Sequence, residues 1–169
     1  MNGIIVINKH KGCTSHDIVY KVKKICNEKV GHTGTLDPMA TGVLPLLIGK
    51  GTLCSKYLIN HDKIYRATIQ LGIETDTLDA EGTIVNTIEV SIEVFNEEYI
   101  INILNTFLGK QEQVPPMYSA IKINGKKLYQ YAREGKSIEV QPRNIEIYNI
   151  KLLEVNKENK QIKFEVHCS

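Results

Sequence analysis

The 169-residue sequence contains no tryptophan and only three phenylalanines, so aromatic stacking must come mainly from its eight tyrosines. It has no run of about 18 apolar residues, the length that a membrane-spanning helix requires. The N-terminus lacks the basic and long apolar segments of a secretory signal. Four cysteines are present without a C-x-x-C pair, which favours reduced thiols over a disulfide framework. We therefore expect a cytoplasmic, non-membrane protein.

The composition is typical of a globular protein, with 42% hydrophobic and 24% charged residues. A chain of this length usually forms about one domain, so we expect a single domain over residues 1–169. No internal repeat or low-complexity segment is present.

The formal net charge of +2 conceals an uneven distribution of charge along the chain. Residues 1–66 contain ten basic and four acidic residues, whereas residues 67–113 contain one lysine and nine acids. Residues 114–169 contain ten basic and six acidic residues. Two basic segments can form a surface that binds phosphates, although charge alone favours an ordinary solvated surface.

Hydrophobic periodicity divides the chain into short strands and helices. It predicts strands over residues 3–8, 43–48, 63–71, 83–85, 143–155 and 161–167, and helices from residue 14 or 15 to 26, over 100–108 and over 128–133. The apolar positions of the first helix are Ile18, Val19, Val22, Ile25 and Cys26, which we expect to be buried. This arrangement predicts an α+β fold with a mixed, largely antiparallel sheet flanked by helices.

The loop over residues 31–42 contains three glycines and a proline around one acid, Asp37. Glycines let a ligand approach the main chain closely, and Pro38 restricts Asp37 to extended geometry. A carboxylate held in this way suits catalysis, but an aspartate that caps a turn is the more frequent explanation of such spacing.

Two familiar reaction classes do not fit this loop. A nucleotide-binding P-loop needs Gly-Lys followed by Ser or Thr, but Gly51 follows Lys50 here. Glycoside hydrolysis needs two carboxylates across a cleft, and the loop contains one. An aspartate nucleophile requires only one acid, so covalent catalysis by Asp37 stays open.

Metal binding has weak support in the sequence. His10, Cys13 and His16 form an H-x2-C-x2-H triple without an obvious fourth zinc ligand. An acidic turn over residues 76–82 could hold a divalent cation in a metal-dependent hydrolase, but the order of acids in an EF-hand is absent. A solvated acidic turn is the more frequent explanation of these acids.

Basic and aromatic residues alternate over residues 118–133. Such a stretch can bind a nucleic-acid backbone through charge and stacking. A basic hairpin whose tyrosines lie in the core explains the same pattern equally well.

Several segments together resemble the TruB family, the tRNA pseudouridine-55 synthases. Residues 31–44, GHTGTLDPMATGVL, are similar to the family's motif II signature. The other similar segments, in chain order, are residues 8–15 (with His10 in place of the usual proline), 63–67, 71–82, 113–122 and 128–133. The resemblance therefore extends over essentially the whole chain.

The resemblance implies the pseudouridine synthase catalytic-domain fold and the conversion of a T-loop uridine of tRNA to pseudouridine. It identifies Asp37 as the catalytic aspartate, and it implies that Tyr65 stacks on the flipped base and helps to remove a proton. The residues that it implies for RNA binding are His32, Lys9, Thr33, Gly34, Lys122, Tyr129 and Arg133. It implies a monomer that binds the T-arm stem-loop of tRNA without a metal or cofactor.

Parts of the family pattern are absent from this sequence. The family has a later Gly-Thr-Tyr-Ile-Arg segment, whose arginine pairs with the catalytic aspartate, a leucine motif and a small PUA-type domain. We therefore expect a catalytic domain that is incomplete at its C-terminus and poorly active as 169 residues. The alternative is a non-catalytic RNA-binding or tRNA-folding module.

Overall fold

A computed structural model describes residues 1–59, 61–119 and 121–169 of the chain. Ala120, which belongs to the predicted basic and aromatic stretch, lies outside the described residues. The chain divides into two compact units, Met1–His61 and Asp62–Ser169. The expectation of one catalytic domain over residues 1–169 stays a prediction.

The first unit combines a small antiparallel sheet with one long helix. Its elements are β1 (Gly3–Lys9), α1 (Ser15–Cys26), β2 (Val30–His32), β3 (Gly42–Ile48), a 3₁₀ helix (Gly49–Cys54) and α2 (Ser55–Leu58). The strand order is β1-β3-β2, so the predicted apolar strand β3 lies in the centre. This position explains why four of its residues are buried: Leu44, Leu46, Leu47 and Ile48.

Helix α1 covers the sheet with the first part of its apolar face. Ile18 and Val19 form a core cluster with Leu44 and Leu46, as the periodicity predicts. The predicted burial of Ile25 is wrong, since its side chain is 85% exposed. Ile25 lies in the last turn of α1, beyond the part of the helix that contacts this cluster.

The second unit contains a four-stranded sheet and two hairpins. Its elements are β4 (Lys63–Gln70), β5 (Ile73–Thr75), β6 (Ile84–Thr87), a 3₁₀ helix (Ile92–Phe95), α3 (Glu97–Asn105), β7 (Gly109–Gln113), β8 (Lys122–Ile123), β9 (Lys126–Lys127), α4 (Leu128–Arg133), β10 (Arg143–Asn156) and β11 (Gln161–Cys168). The sheet order is β4-β11-β10-β7, and β5-β6 and β8-β9 form the hairpins.

Helix α3 packs against β10 and contributes to the core of the second unit. Ile100 and Leu104 are buried beside Ile162 of β11. The predicted extension of this helix to residue 108 is wrong, because α3 ends at Asn105. Gly109, at φ +92°, then begins β7. Leu108 is therefore not part of the helix.

The α+β fold class is confirmed, and the strand pairs of the described residues are all antiparallel. The strands are distributed over several sheets rather than one. Within the described part of the chain, no helix is long and apolar enough to cross a membrane.

Candidate active-site loop

Asp37 lies in the loop that joins β2 to β3 and is exposed to solvent. Its main-chain carbonyl accepts a hydrogen bond from the Ala40 amide at 3.0 Å, which closes a turn around Pro38. Within the described residues, the Asp37 carboxylate has no hydrogen-bond or ion-pair partner. The acid is therefore held through its backbone, while its carboxylate stays accessible.

The residue before Asp37 is fixed by a hydroxyl from helix α1. Ser15 Oγ donates to the Leu36 carbonyl at 3.1 Å and accepts from the Leu36 amide at 2.9 Å. Ser15 is only 1% exposed, so water does not compete for these bonds. Both polar backbone groups of Leu36 are thus bound to a single side chain.

The residue after Asp37 is fixed by the loop that follows β1. The Pro38 carbonyl accepts a hydrogen bond from the Gly12 amide at 2.9 Å. Lys9 Nζ contacts the same carbonyl at 3.4 Å and also donates to the carbonyls of Cys13 at 2.8 Å and His10 at 3.1 Å. Asp37 is consequently braced on both sides by residues distant in sequence.

The Lys9 side chain is fully buried, and no acid of the described residues forms an ion pair with it. Its three carbonyl partners satisfy the ammonium group inside the unit. The amine is thus not at the surface in this structure, and the predicted contact of Lys9 with RNA stays a prediction. Lys9 supports the loop.

His32 is the last residue of β2, and Thr33 begins the loop that carries Asp37. His32 pairs with Leu46 across β2 and β3, and its buried Nδ1 has no hydrogen-bond partner in the described residues. Burial lowers the pKa of His32, which favours the neutral ring; the charge of His16 acts in the same direction and the backbone of Gly34 opposes it. Thr33 is 5% exposed and Gly34 is exposed, and the predicted RNA contacts of both residues stay predictions.

Tyr65 lies on β4, in the second unit, and pairs with Val166 of β11. Its side chain is 44% exposed, which leaves part of the ring on the surface. β4 is an edge strand of the four-stranded sheet, and its ladder with β11 fixes the backbone position of Tyr65. The predicted role of Tyr65 in stacking and proton transfer remains a prediction.

The predicted basic and aromatic stretch forms a cluster around Tyr129 on α4. Lys127 Nζ lies 5.4 Å from the centre of the Tyr129 ring, and Arg133 Cζ lies 5.3 Å from it. Lys122 is exposed on the paired strand β8, opposite Lys127. We call Lys122, Lys127, Tyr129 and Arg133 the Tyr129 cluster. The Tyr129 cluster places an aromatic ring beside cations, a combination with which proteins bind single-stranded nucleic acids.

The predicted site residues thus fall into two groups. Those of the first unit are Lys9, His32, Thr33, Gly34 and Asp37, which lie on β1, β2 and the loop between β2 and β3. Those of the second unit are Tyr65, Lys122, Tyr129 and Arg133.

Sequence reasoning did not assign a role to Ser15 or Gly12 in this loop. A signal for Ser15 was present, since Thr14 and Ser15 are adjacent hydroxyl residues and one of them is sufficient to cap a helix. Thr14 is the cap, with a reciprocal capping box to Asp17. The second hydroxyl is therefore free to bind elsewhere.

The metal sites considered from the sequence are not formed by the described residues, which contain no group of three or more ligands. Cys13 Sγ does lie 3.7 Å from His10 Nε2. In the acidic turn, Asp76 and Asp79 accept hydrogen bonds from the turn itself, through the amides of Thr83 and Glu81. These carboxylates therefore stabilise the turn.

Comparison with known proteins finds relatives that share one name. A protein named tRNA pseudouridine synthase B from Francisella philomiragia is 52% identical over 170 residues, which cover all of this chain and 55% of that protein. A protein of the same name from Francisella tularensis is 51% identical with the same coverage. The chain thus spans 55% of the length of these curated relatives.

Solved structures show the same likeness. A chain in the crystal structure of a Cbf5-Nop10-Gar1 complex has a TM-score of 0.67 and 30% identity, over 98% of this chain and 39% of that chain. A chain in an H/ACA RNP bound to a substrate RNA containing 2'-deoxyuridine has a TM-score of 0.65 and 28% identity, over 98% and 37%. The model of the TruB family pseudouridylate synthase (N terminal domain) matches residues 22–169. This match covers most of the chain, which therefore belongs to the TruB family of pseudouridylate synthases.

Proposed function

We propose that the full-length gene product that carries this chain isomerises the T-loop uridine at position 55 of tRNA to pseudouridine. Family membership and the names of the relatives support this reaction. The observation that carries it is the exposed carboxylate of Asp37 on a loop whose backbone is fixed on both sides. The backbone that carries this group is thus held in place before any substrate binds.

The reaction is an isomerisation and needs no oxidant, reductant or second substrate. The bond between N1 of uracil and C1' of ribose breaks, the base turns, and a bond forms between C5 and C1'. The proton on C5 is lost and N1 gains one, so the atoms balance. The protein must therefore stabilise a broken glycosidic bond and move one proton.

Asp37 is proposed to act on the sugar. Its carboxylate either attacks C1' as a nucleophile or supports the formation of a glycal-type intermediate. In both routes the negative charge of Asp37 stabilises positive charge that develops on the sugar as the base departs. A fixed backbone limits the positions from which the carboxylate can reach that carbon.

Tyr65 is proposed to stack on the flipped base and to help remove the proton from C5. His32 is proposed to occupy space beside the extruded base. Extrusion of a stacked base costs a few kcal/mol, so a side chain that fills the vacated space lowers that cost. The neutral form of His32, favoured by burial, suits insertion among bases.

The RNA partner is proposed to be the T-arm stem-loop of tRNA. A structural relative is described as bound to a substrate RNA, which supports an RNA partner for this chain as well. The exposed cations of the Tyr129 cluster, Lys122 and Arg133, supply charge for phosphates. We also propose that the protein acts as a monomer in the cytoplasm.

The experiment measures release of tritium from tRNA transcripts labelled at C5 of uridine, because the proposed reaction removes that atom. Wild-type full-length protein is expected to release the label from the T-loop uridine. The Asp37→Asn variant, which keeps the shape of the side chain but not its charge, is expected to lose release by at least about 10²-fold. Binding of tRNA to this variant is expected to remain within about twofold.

A transcript with cytidine at the target position provides the control for site selectivity. Undiminished tritium release by Asp37→Asn contradicts the catalytic role of the carboxylate. Wild-type protein that binds tRNA and remodels it without release of tritium supports the alternative, a non-catalytic tRNA-folding module.

A further inference from the structure

Ser15 joins two elements that lie far apart in the sequence. Its Oγ binds both the amide and the carbonyl of Leu36, at 2.9 Å and 3.1 Å. The side chain is 1% exposed, and 21 residues separate the two partners. A hydroxyl can donate one hydrogen bond and accept two, so this arrangement uses its donor fully.

Helix α1 does not need this hydroxyl for its own stability. The helix is capped by Thr14, whose Oγ1 accepts from the Asp17 amide at 3.1 Å, while Asp17 Oδ2 accepts from the Thr14 amide at 2.8 Å. Serine in a first helical turn commonly binds its own backbone. Ser15 instead reaches the loop that carries Asp37.

The contact between Ser15 and Leu36 affects Asp37 because Leu36 directly precedes Asp37 in the loop. The Leu36 carbonyl belongs to the peptide group that links Leu36 to Asp37, and that group is planar. A hydrogen bond to the carbonyl therefore fixes the orientation of the peptide plane that precedes the Asp37 Cα. On the other side, the Asp37 carbonyl is bound by the Ala40 amide at 3.0 Å. Few backbone orientations are then open to Asp37.

We propose that Ser15 is a positioning residue for the Asp37 carboxylate, an inference that rests on the proposed function. Ser15 does not contact the substrate; it acts through the Leu36–Asp37 peptide. Loss of its hydroxyl releases that peptide, so the carboxylate spends less time at the sugar carbon. Displacement by about 1 Å can lower a rate about 10²-fold.

The main test compares Ser15→Ala with Thr14→Ala in the full-length gene product, with tRNA transcripts and tritium release. Ser15→Ala is expected to lower kcat by about 10- to 100-fold with KM within about twofold of wild type. Thr14→Ala removes the adjacent hydroxyl and the helix cap but leaves the Leu36 contact. It is expected to lower Tm at least as much as Ser15→Ala while kcat stays at the wild-type value.

Rescue supplies a second test. Ser15→Thr keeps the hydroxyl and is expected to recover most of the lost kcat. Its Tm is measured as well, because a buried methyl group can disturb packing. A Ser15→Thr protein with wild-type Tm and the low kcat of Ser15→Ala overturns the proposal. A wild-type kcat in Ser15→Ala, or an equal loss of kcat in Thr14→Ala, also overturns it.

Hydrogen exchange and NMR test the positioning without turnover. The Leu36 amide is expected to exchange at least about tenfold faster in Ser15→Ala than in Thr14→Ala, with a change in the chemical shift of the Asp37 carboxyl carbon. If the wild-type protein releases no tritium, the proposed function fails. The positioning proposal then depends on these two signals, and unchanged signals overturn it.

Discussion

The amide of Gly12 donates a hydrogen bond to the carbonyl of Pro38 at 2.9 Å, which joins the loop after β1 directly to the turn of Asp37. Gly12 makes this contact from a backbone angle of φ +88°, a region that favours glycine. Gly12 thus acts through a backbone conformation that other residues rarely adopt, and not through a side chain. The turn that carries Asp37 depends on it.

Replacement of Gly12 by alanine is expected to lower the free energy of unfolding by about 1–2 kcal/mol, because a Cβ disfavours this left-handed conformation. Steric clash does not contribute, since a Cβ at Gly12 meets no atom within 4 Å. Urea denaturation of the purified protein measures the change.

Gly34→Ala provides the matched control for this prediction. Gly34 lies in the loop that carries Asp37, between β2 and β3. A Cβ at Gly34 meets no atom within 4 Å, and its backbone does not adopt the left-handed region. Its replacement is expected to leave the free energy of unfolding unchanged or to raise it by up to about 1 kcal/mol. Equal losses in the two variants would contradict the conformational explanation.

Much of the fold could be predicted from periodicity, because strands such as β10 and β11 alternate over many residues. The same reasoning failed where tertiary contacts decide. Ile25 continues the apolar spacing of α1 but lies beyond the core, and Leu108 continues that of α3 after the helix has ended. The three-residue strand β5 is too short to produce a pattern.

The sequence indicated which acid to examine in the candidate site, but not which residues hold the loop around it. Asp37 stood out as one acid between glycines and a proline, and the family resemblance gave it a role. The contacts of Ser15 and Lys9 with the loop join positions 21 and 29 residues apart. The adjacent hydroxyls of Thr14 and Ser15 indicate that one of them is not needed as a cap, but no local pattern indicates the partners in the loop. Lys9 also shows that a lysine in a basic segment can be an internal hydrogen-bond donor.

The pH dependence of stability is expected to contain a contribution from His32. Burial lowers its pKa below the ordinary value of 6.5, so the unfolded state binds more protons than the folded state near that pH. This contribution is fully present above pH 6.5 and is lost as the pH falls through 6.5 towards the lowered pKa. Urea midpoints between pH 5 and 8 are expected to rise less steeply with pH in His32→Gln than in wild type.

His10→Gln serves as the control for that measurement. His10 is exposed, so its replacement removes one imidazole without changing the burial of His32. A His32→Gln protein whose pH dependence matches that of wild type would show that His32 does not contribute to it.

Tyr65→Phe separates stacking from proton transfer. The aromatic ring remains, so tRNA binding is expected to stay within about twofold of wild type. The hydroxyl is lost, and tritium release is expected to fall by about 10²-fold or more. Release at the wild-type rate would refute the proton-transfer role, whereas Tyr65→Ala is expected to lose both binding and release.

The Tyr129 cluster is expected to contribute to the salt dependence of tRNA binding. Arg133 is exposed 5.3 Å from the Tyr129 ring, so it can contact a phosphate while a base stacks on that ring. Arg133→Gln is expected to reduce the slope of log K against log salt concentration by about 0.7–0.9, the value for one phosphate contact. Lys56, which lies 4.9 Å from the Tyr57 ring, forms a similar exposed pair and is not among the residues proposed to bind RNA. Lys56→Gln is therefore expected to leave the slope unchanged, and equal slopes for the two variants would show that the Tyr129 cluster has no special role.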